Sequence, residues 1–317
     1  MSEDVRALAA VVGRVCVLLA THNGLRWVDE QIDSLLGQVG VEITIVASDD
    51  GSTDGTPDRL HARADNRTLR VLDPSIERLG SANRNFLRLI RDAPLGDATH
   101  VALADQDDVW DPDKCRRACD AIARQGLDAY SSDVTAFWPD GRQKYVRKSY
   151  PQRAHDHLFE SAGPGCTFVF AREVFEQLKV WVGANHANLA NARVHDWLIY
   201  AHARTQGWRW SIDPHSTLHY RQHGSNDFGV NAGFNAAVRR ARRALRGTYR
   251  HDVLDIAALA GATGWVVEAL RRFELRDRLR LAANVRELRR RPRDQIVLAI
   301  LLLTMKGGPT RPILGLR

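Results

Sequence analysis

Three polar stretches carry side chains suited to a divalent cation and to a phosphorylated or hydroxyl-rich ligand. Asp105-Gln106-Asp107-Asp108 directly follows an apolar run. Carboxylates spaced by one residue can hold Mg2+ or Mn2+, and the cation then holds a diphosphate. The same residues also suit a capped loop, with Asp108 or Asp111 capping a helix that begins at Pro112. An EF-hand is excluded, because Trp110 stands at the sixth position where that loop needs glycine. The second stretch, Asp49-Asp50-Gly51-Ser52-Thr53-Asp54-Gly55, is an acidic turn. Its carboxylates can accept hydrogen bonds from a nucleobase or ribose, and its glycines let backbone approach a ligand; an ordinary turn and helix cap uses the same composition. The third, Thr21-His22-Asn23-Gly24, closes the first apolar run, and no G-x-G-x-x-G follows that run, which speaks against an NAD site.

Later stretches hold single candidates. Asp196, in His195-Asp196-Trp197, can take a proton or can simply be favoured by a helix N-terminus. His223, in Tyr220-Arg221-Gln222-His223-Gly224-Ser225-Asn226, reads by itself as a polar loop histidine. Gly163-Pro164-Gly165-Cys166-Thr167 predicts a tight loop that either shapes a pocket or is a plain turn.

The elements that must position these residues alternate between strand and helix. Val15 to Ala20 is continuously apolar, as a strand buried on both faces should be. Strands are also expected at 43–47, 69–72, 101–104 and 166–170, and a strand end at 218–221. Helices are expected over 27–38, from Thr56-Pro57 onward, and over 81–91, 172–177 and 194–206. The stretch 130–157 is irregular and aromatic. Repeated βα units imply a parallel sheet covered by helices, and such sheets bind ligands beyond the carboxyl ends of their strands. The polar stretches after the first, second and fourth strands sit at such ends.

Taken in order, Ala20 to Gly24, Ser48 to Thr56, Asp105 to Trp110, His195 to Trp197 and Tyr220 to Asn226 resemble glycosyltransferase family 2, and the last two resemble its rhamnosyltransferase-like branch. The resemblance implies a GT-A fold: α/β, with a Rossmann-like, mostly parallel sheet covered by helices, here followed by a C-terminal helical extension. It implies an inverting, metal-dependent transfer from a nucleotide-sugar, with dTDP-L-rhamnose as donor and a cell-surface polysaccharide or lipid-linked saccharide as acceptor. Thr21, Asn23 and Asp50, with Gly51 and Ser52 of the same turn, would contact the nucleotide, and Asn85 and Phe86 would flank the donor. Asp105 would face the ribose or the metal, Asp107 would bind Mg2+ or Mn2+, and His223 would complete the metal or diphosphate site. Asp196 would be the catalytic base. Such a reaction needs one base for the acceptor hydroxyl and cationic help for a departing diphosphate, a role that suits Arg221.

Composition narrows the alternatives. The chain has 317 residues, with 44% hydrophobic and 26% charged, which excludes wholesale disorder. No apolar run reaches membrane-spanning length, and Met1 to Arg14 lacks the core of a signal peptide. Four cysteines without zinc-site spacing predict a reducing, cytoplasmic setting, with Cys115 and Cys119 as buried neutral thiols. Residues 1–235 carry 26 Lys+Arg against 31 Asp+Glu, whereas 236–317 carry 19 against 7. This asymmetry predicts a catalytic domain over 1–232 and a basic helical region over 233–317. That region would dock peripherally on an anionic inner-membrane surface, through Arg239, Arg240, Arg242, Arg243, Arg246 and Arg250, or would form a homo-oligomer contact. A nucleic-acid partner is disfavoured by the acidic front. A sugar nucleotidyltransferase would want a glycine-rich basic loop after the first strand, which Thr21 to Arg26 does not supply well.

Overall fold

The computed structural model describes residues 11–75, 79–189, 194–223 and 248–305. They fall into two compact units. The first draws on 1–149, 163–195 and 208–224, the second on 150–162, 196–207 and 225–317.

In the first unit, β1 (Arg14–Thr21) is buried from Val15 onward. It pairs in parallel with β2 (Glu42–Asp49) on one side and β4 (His100–Asp105) on the other, and β3 (Leu69–Val71) extends β2 in parallel. Helices α1 (Val28–Leu36), α2 (Thr56–Arg63) and α3 (Ala82–Asp92) make the crossovers. Pro57 lies in the first turn of α2, and the Ser81 side chain caps α3 by accepting from the Arg84 amide. Beyond β4 the sheet continues through β9 (Val169–Ala171), antiparallel to both neighbours, then β6 (Ala129–Ser132) and β10 (Trp210–Asp213). The core joins Val17 and Leu19 of β1, Ile32 and Leu35 of α1, Ile45 of β2, and Cys115 and Ile122 of α4 (Lys114–Gln125). Burying each such aliphatic side chain stabilises the fold by about 1.5–3 kcal/mol.

A second, four-stranded sheet runs in the order β5 (Val109–Trp110), β11 (Leu218–Arg221), β7 (Val134–Phe137), β8 (Gln143–Val146). The stretch 130–157, expected to be irregular, thus supplies three short strands. Two other expectations shift. The segment 165–167 is a single 3-10 turn with the strand beginning only at Val169, and the helix expected over 172–177 runs as α5 (Arg172–Leu189). Val174, Phe175, Leu178, Val182 and Leu189 carry its buried face onward. All four cysteines are buried, and burial pushes the Cys16 and Cys115 thiols up to about 11.

In the second unit, α6 (His195–Thr205, which begins one residue earlier in the first unit), α7 (Thr248–Leu259), α8 (Trp265–Arg272), α9 (Leu275–Ala283), α10 (Val285–Leu288) and α11 (Pro292–Thr304) are its α-helices among the described residues. Val266, Leu270, Phe273, Leu281 and Leu288 turn inward to its core. Buried Arg290 pairs with Asp156 and Glu160 at 3.4 Å each, and Asp156 also accepts from Tyr200 and Arg204. The arginines at 239, 240, 242, 243 and 246 lie outside the described residues. Arg250 is buried rather than surface-facing, and donates to the carbonyls of Leu270 and Arg271 at the end of α8. Among the described residues no helix is long and apolar enough to cross a membrane.

Candidate active site

The carboxyl ends of β1, β2 and β4 lie side by side, because Thr21 is in register with Asp49, and Ala20 with Asp105. Around the first two ends the polar residues hold one another. Thr21 is buried and its hydroxyl donates to Asp49 Oδ1 at 2.8 Å. Asp49 also accepts from the Ser52 amide and hydroxyl at 2.8 and 2.6 Å. Asn23, at φ +50°, donates its amide to Ser52 Oγ and accepts from the Thr53 amide. Gly51 follows at φ +65°, a left-handed conformation that glycine adopts without a Cβ penalty. Asp50 is buried and its carboxylate accepts from the amides of Leu79 and Gly80. Asn85, on α3, reaches across to donate to the carbonyls of Thr21 and Ser48, leaving its buried Oδ1 without a protein partner. Asp54 sits below the ordinary carboxylate range: burial opposes this, but hydrogen bonds from Thr56 and Leu25 outweigh it.

Gln106 ties this group to the end of β4. Its Oε1 accepts from the His22 amide at 2.8 Å and its Nε2 donates to the His22 carbonyl at 2.9 Å. Gly24 leaves the space that this clasp needs, since a Cβ there would fall 2.1 Å from Gln106 Oε1.

The β5–β11 ladder brings the rest together. Leu218 pairs with Trp110, and His219 with Val109, so the residues after β11 lie beside those before β5. The Arg221 amide donates to Asp108 Oδ1, its Nε to the Asp107 carbonyl, and its Nη2 to Glu30. The Arg221 guanidinium also lies 4.6 Å from the Phe137 ring centre. His223 Nε2 stands 2.5 Å from Asp107 Oδ2, and its ring stacks on Trp27 with centroids 4.2 Å apart. Asp105, Asp108 and Cys166 offer ligand atoms within 4.8 Å of one another. Burial pushes the Asp108 carboxyl well above its ordinary range, and the charges of Asp107 and Asp105 add to that; its Oδ2 is buried without a hydrogen-bond partner. The helix-capping alternative is not what this acidic stretch does: Asp108 accepts from Arg221, and Asp111 bonds His219.

His195 ends the first unit. Its ring stacks on Phe86 at 4.2 Å, and its Nε2 lies 2.4 Å from where a Cβ on Gly165 would be. Burial pushes its imidazole down to about 3, so it is neutral near pH 7. The tight loop predicted over 163–167 therefore makes room for a ring. Asp196 belongs to the second unit, in the first turn of α6, where its Oδ1 accepts from the Trp197 amide. Single motifs give Asp49, Gln106, Asp108 and Trp27 no individual place in the site. The first three adjoin the residues singled out; the tryptophan at the start of α1 carries no signal of its own for stacking on a histidine 196 positions later.

Known proteins share this architecture. The family model described as glycosyl transferase family 2 matches residues 16–178. The chain is 35% identical to the dTDP-rhamnosyl transferase RfbG of Shigella flexneri over 286 residues, covering 90% of this chain and 99% of that protein. Among solved structures it is similar to S. aureus TarS 1-349 in complex with UDP, at TM-score 0.51 and 16% identity, covering 91% of this chain and 86% of that one. The same protein in complex with UDP-GlcNAc matches at TM-score 0.50 and 14% identity, covering 90% and 83%. At such identities the likeness to TarS concerns the fold alone.

Proposed function

The chain belongs to glycosyltransferase family 2, and from that premise we propose that it transfers L-rhamnose from dTDP-L-rhamnose to a cell-surface polysaccharide or lipid-linked saccharide, inverting the anomeric carbon. The observation that carries the donor is the 35% identity to a dTDP-rhamnosyl transferase across 99% of that relative.

Mg2+ or Mn2+ suits the residues present. Three carboxylates, Asp105, Asp107 and Asp108, crowd one strand end, and the buried Asp108 Oδ2 has no partner. Hard oxygen donors with one imidazole suit such cations, whereas the Cys166 thiol does not. Asp105, Asp107 and His223 would hold the ion; of these, Asp105 offers a ligand atom within 4.8 Å of one on Asp108, so the orphaned Asp108 Oδ2 would be a further donor. A bound cation supplies neutralisation of the diphosphate charge as the sugar C–O bond breaks.

The chain's own residues do the rest. The turn from Asp49 to Gly55, braced by Asn23 and Asn85, receives the nucleotide on its backbone edge, and Asp50 keeps the segment at Leu79-Gly80 against it. Arg221 offers its guanidinium to the departing diphosphate, exchanging Glu30 for it. Asp196 takes the acceptor hydroxyl proton as that oxygen bonds to the anomeric carbon; the bond from that carbon to the diphosphate breaks, and dTDP leaves. A thermal-shift panel of nucleotide-sugars with Mn2+ tests the donor, since binding to the folded state raises the melting temperature by mass action. dTDP-rhamnose should give the largest shift. A larger shift with UDP- or GDP-linked sugars overturns the donor assignment while leaving the family intact.

A further inference from the structure

The helices of the second unit keep apolar side chains that no other described residue of that unit covers. On α11, Leu298 and Leu302 are buried, while Ile296, Val297, Ile300 and Leu303 are 63%, 48%, 55% and 44% exposed. Ile296, Ile300 and Leu303 recur at helical spacing, so they form one stripe. The neighbouring α9, bound to α11 through Arg278 Nε and the Leu302 carbonyl, exposes Leu275 at 65% and Leu279 at 53%. Solitary exposed aliphatics are ordinary; a stripe of this kind on each of two packed helices is not.

The charge around these stripes distinguishes the possible occupants. Arg276 and Arg280 adjoin Leu275 and Leu279, and Arg291 and Arg293 begin α11; all four are exposed. Acids are fewer: Glu274 pairs with Arg276, and Asp294 is half-buried in the first turn of α11. The described residues 248–305 carry 11 basic against 7 acidic side chains. A second copy brought face to face would set this positive charge against itself, whereas an anionic bilayer surface would attract it. At 13 residues α11 is too short to span a bilayer, but long enough to lie in its interface.

We propose that α9 and α11 form an interfacial docking surface for anionic lipid, with Ile296, Ile300, Leu303, Leu275 and Leu279 entering the headgroup boundary and the arginines engaging lipid phosphates. This rests on the second unit alone and does not depend on the sugar donor.

The test is sedimentation of the full-length protein with phosphatidylcholine vesicles, and with vesicles containing about one third phosphatidylglycerol, at low and high salt. Binding should require the anionic lipid and weaken at high salt. Ile296→Gln with Ile300→Gln should release the protein, at an unchanged melting temperature, since both side chains face outward. Arg276→Gln with Arg293→Gln, which leaves the apolar stripe intact, should lower vesicle partitioning about thirtyfold, the loss expected for two engaged arginines. No sedimentation with anionic vesicles overturns the proposal, as does equal binding to neutral ones. A concentration-dependent dimer that Ile296→Gln with Ile300→Gln abolishes, without vesicle binding, assigns the face to a second copy instead.

Discussion

Asp107 and His223, 116 positions apart in sequence, meet through a 2.5 Å contact between Oδ2 and Nε2, and the histidine ring is clamped from its other side by Trp27. The pair exists because β11 runs back along β5, so a loop residue after the last strand reaches the acidic end of β4. The histidine cannot adopt another rotamer without breaking both contacts. A pair held this way presents its remaining lone pairs in a fixed direction, which a cation needs.

Asp107→Asn should therefore cut turnover by at least about a hundredfold, with donor-independent stability nearly unchanged, because the amide keeps the shape and loses the charge. Steady-state rates over a Mn2+ titration check this. Near-normal turnover at saturating Mn2+ would remove Asp107 from the metal site.

Asp196→Asn should keep donor affinity and lose about a hundred- to ten-thousandfold in kcat, the span expected when a general base is removed. Donor affinity by calorimetry and kcat by product release separate the possibilities. A collapse of affinity would make Asp196 a binding or structural residue, as its place in the first turn of α6 would also permit.

Gly24→Ala should break the Gln106 clasp on His22, since the new methyl falls 2.1 Å from Gln106 Oε1. Losing those bonds should cost about 1–3 kcal/mol of stability. The double variant Gly24→Ala with Gln106→Ala should cost little more than Gln106→Ala alone, a non-additivity read from denaturant midpoints. Additive effects would show that the two residues do not compete for one space.

The protein should lose stability in mild acid, in part through His157. Burial first, then the charge of Arg204, pushes its imidazole down to about 3, while an unfolded histidine titrates near 6.5. Below about 6.5 the unfolded chain binds a proton that the folded chain refuses, so stability falls as pH drops from there toward 3, and is unaffected above. At pH 5 the loss is on the order of 2 kcal/mol. In His157→Gln the drop in melting temperature between pH 7 and pH 5 should be smaller than in the parent; an identical drop would exclude this histidine.

Most of the catalytic frame is legible in the sequence because burial on two faces leaves a plain mark: Val15 to Ala20 is unbroken by any polar residue and forms an interior strand. The acidic strand ends are legible for the same reason, since polar residues break those apolar runs abruptly. The strands at 129–132, 134–137 and 143–146 are not. They are four residues each, and Ser131 and Ser132 are polar yet fully buried, so alternation fails as a guide. The length of α5 escapes for the opposite reason: Val180, apolar and 72% exposed, blurs the buried face. Of the site, the side chains of Asp105 and Asp107 are suggested by spacing, but the partnership of Asp107 with His223 and Trp27 depends on a strand pairing that no local pattern encodes.

Cation-assisted transfer from dTDP-L-rhamnose is read from the rate of nucleotide diphosphate release from dTDP-L-rhamnose and from UDP-glucose with Mn2+ present, for the parent protein and for Asp107→Asn. Release from dTDP-L-rhamnose should be faster by about a hundredfold, as a site that hydrogen-bonds its donor can discriminate, and should be lost on chelation and in Asp107→Asn. Equal rates with both donors, or release that neither the chelator nor the substitution reduces, would contradict it.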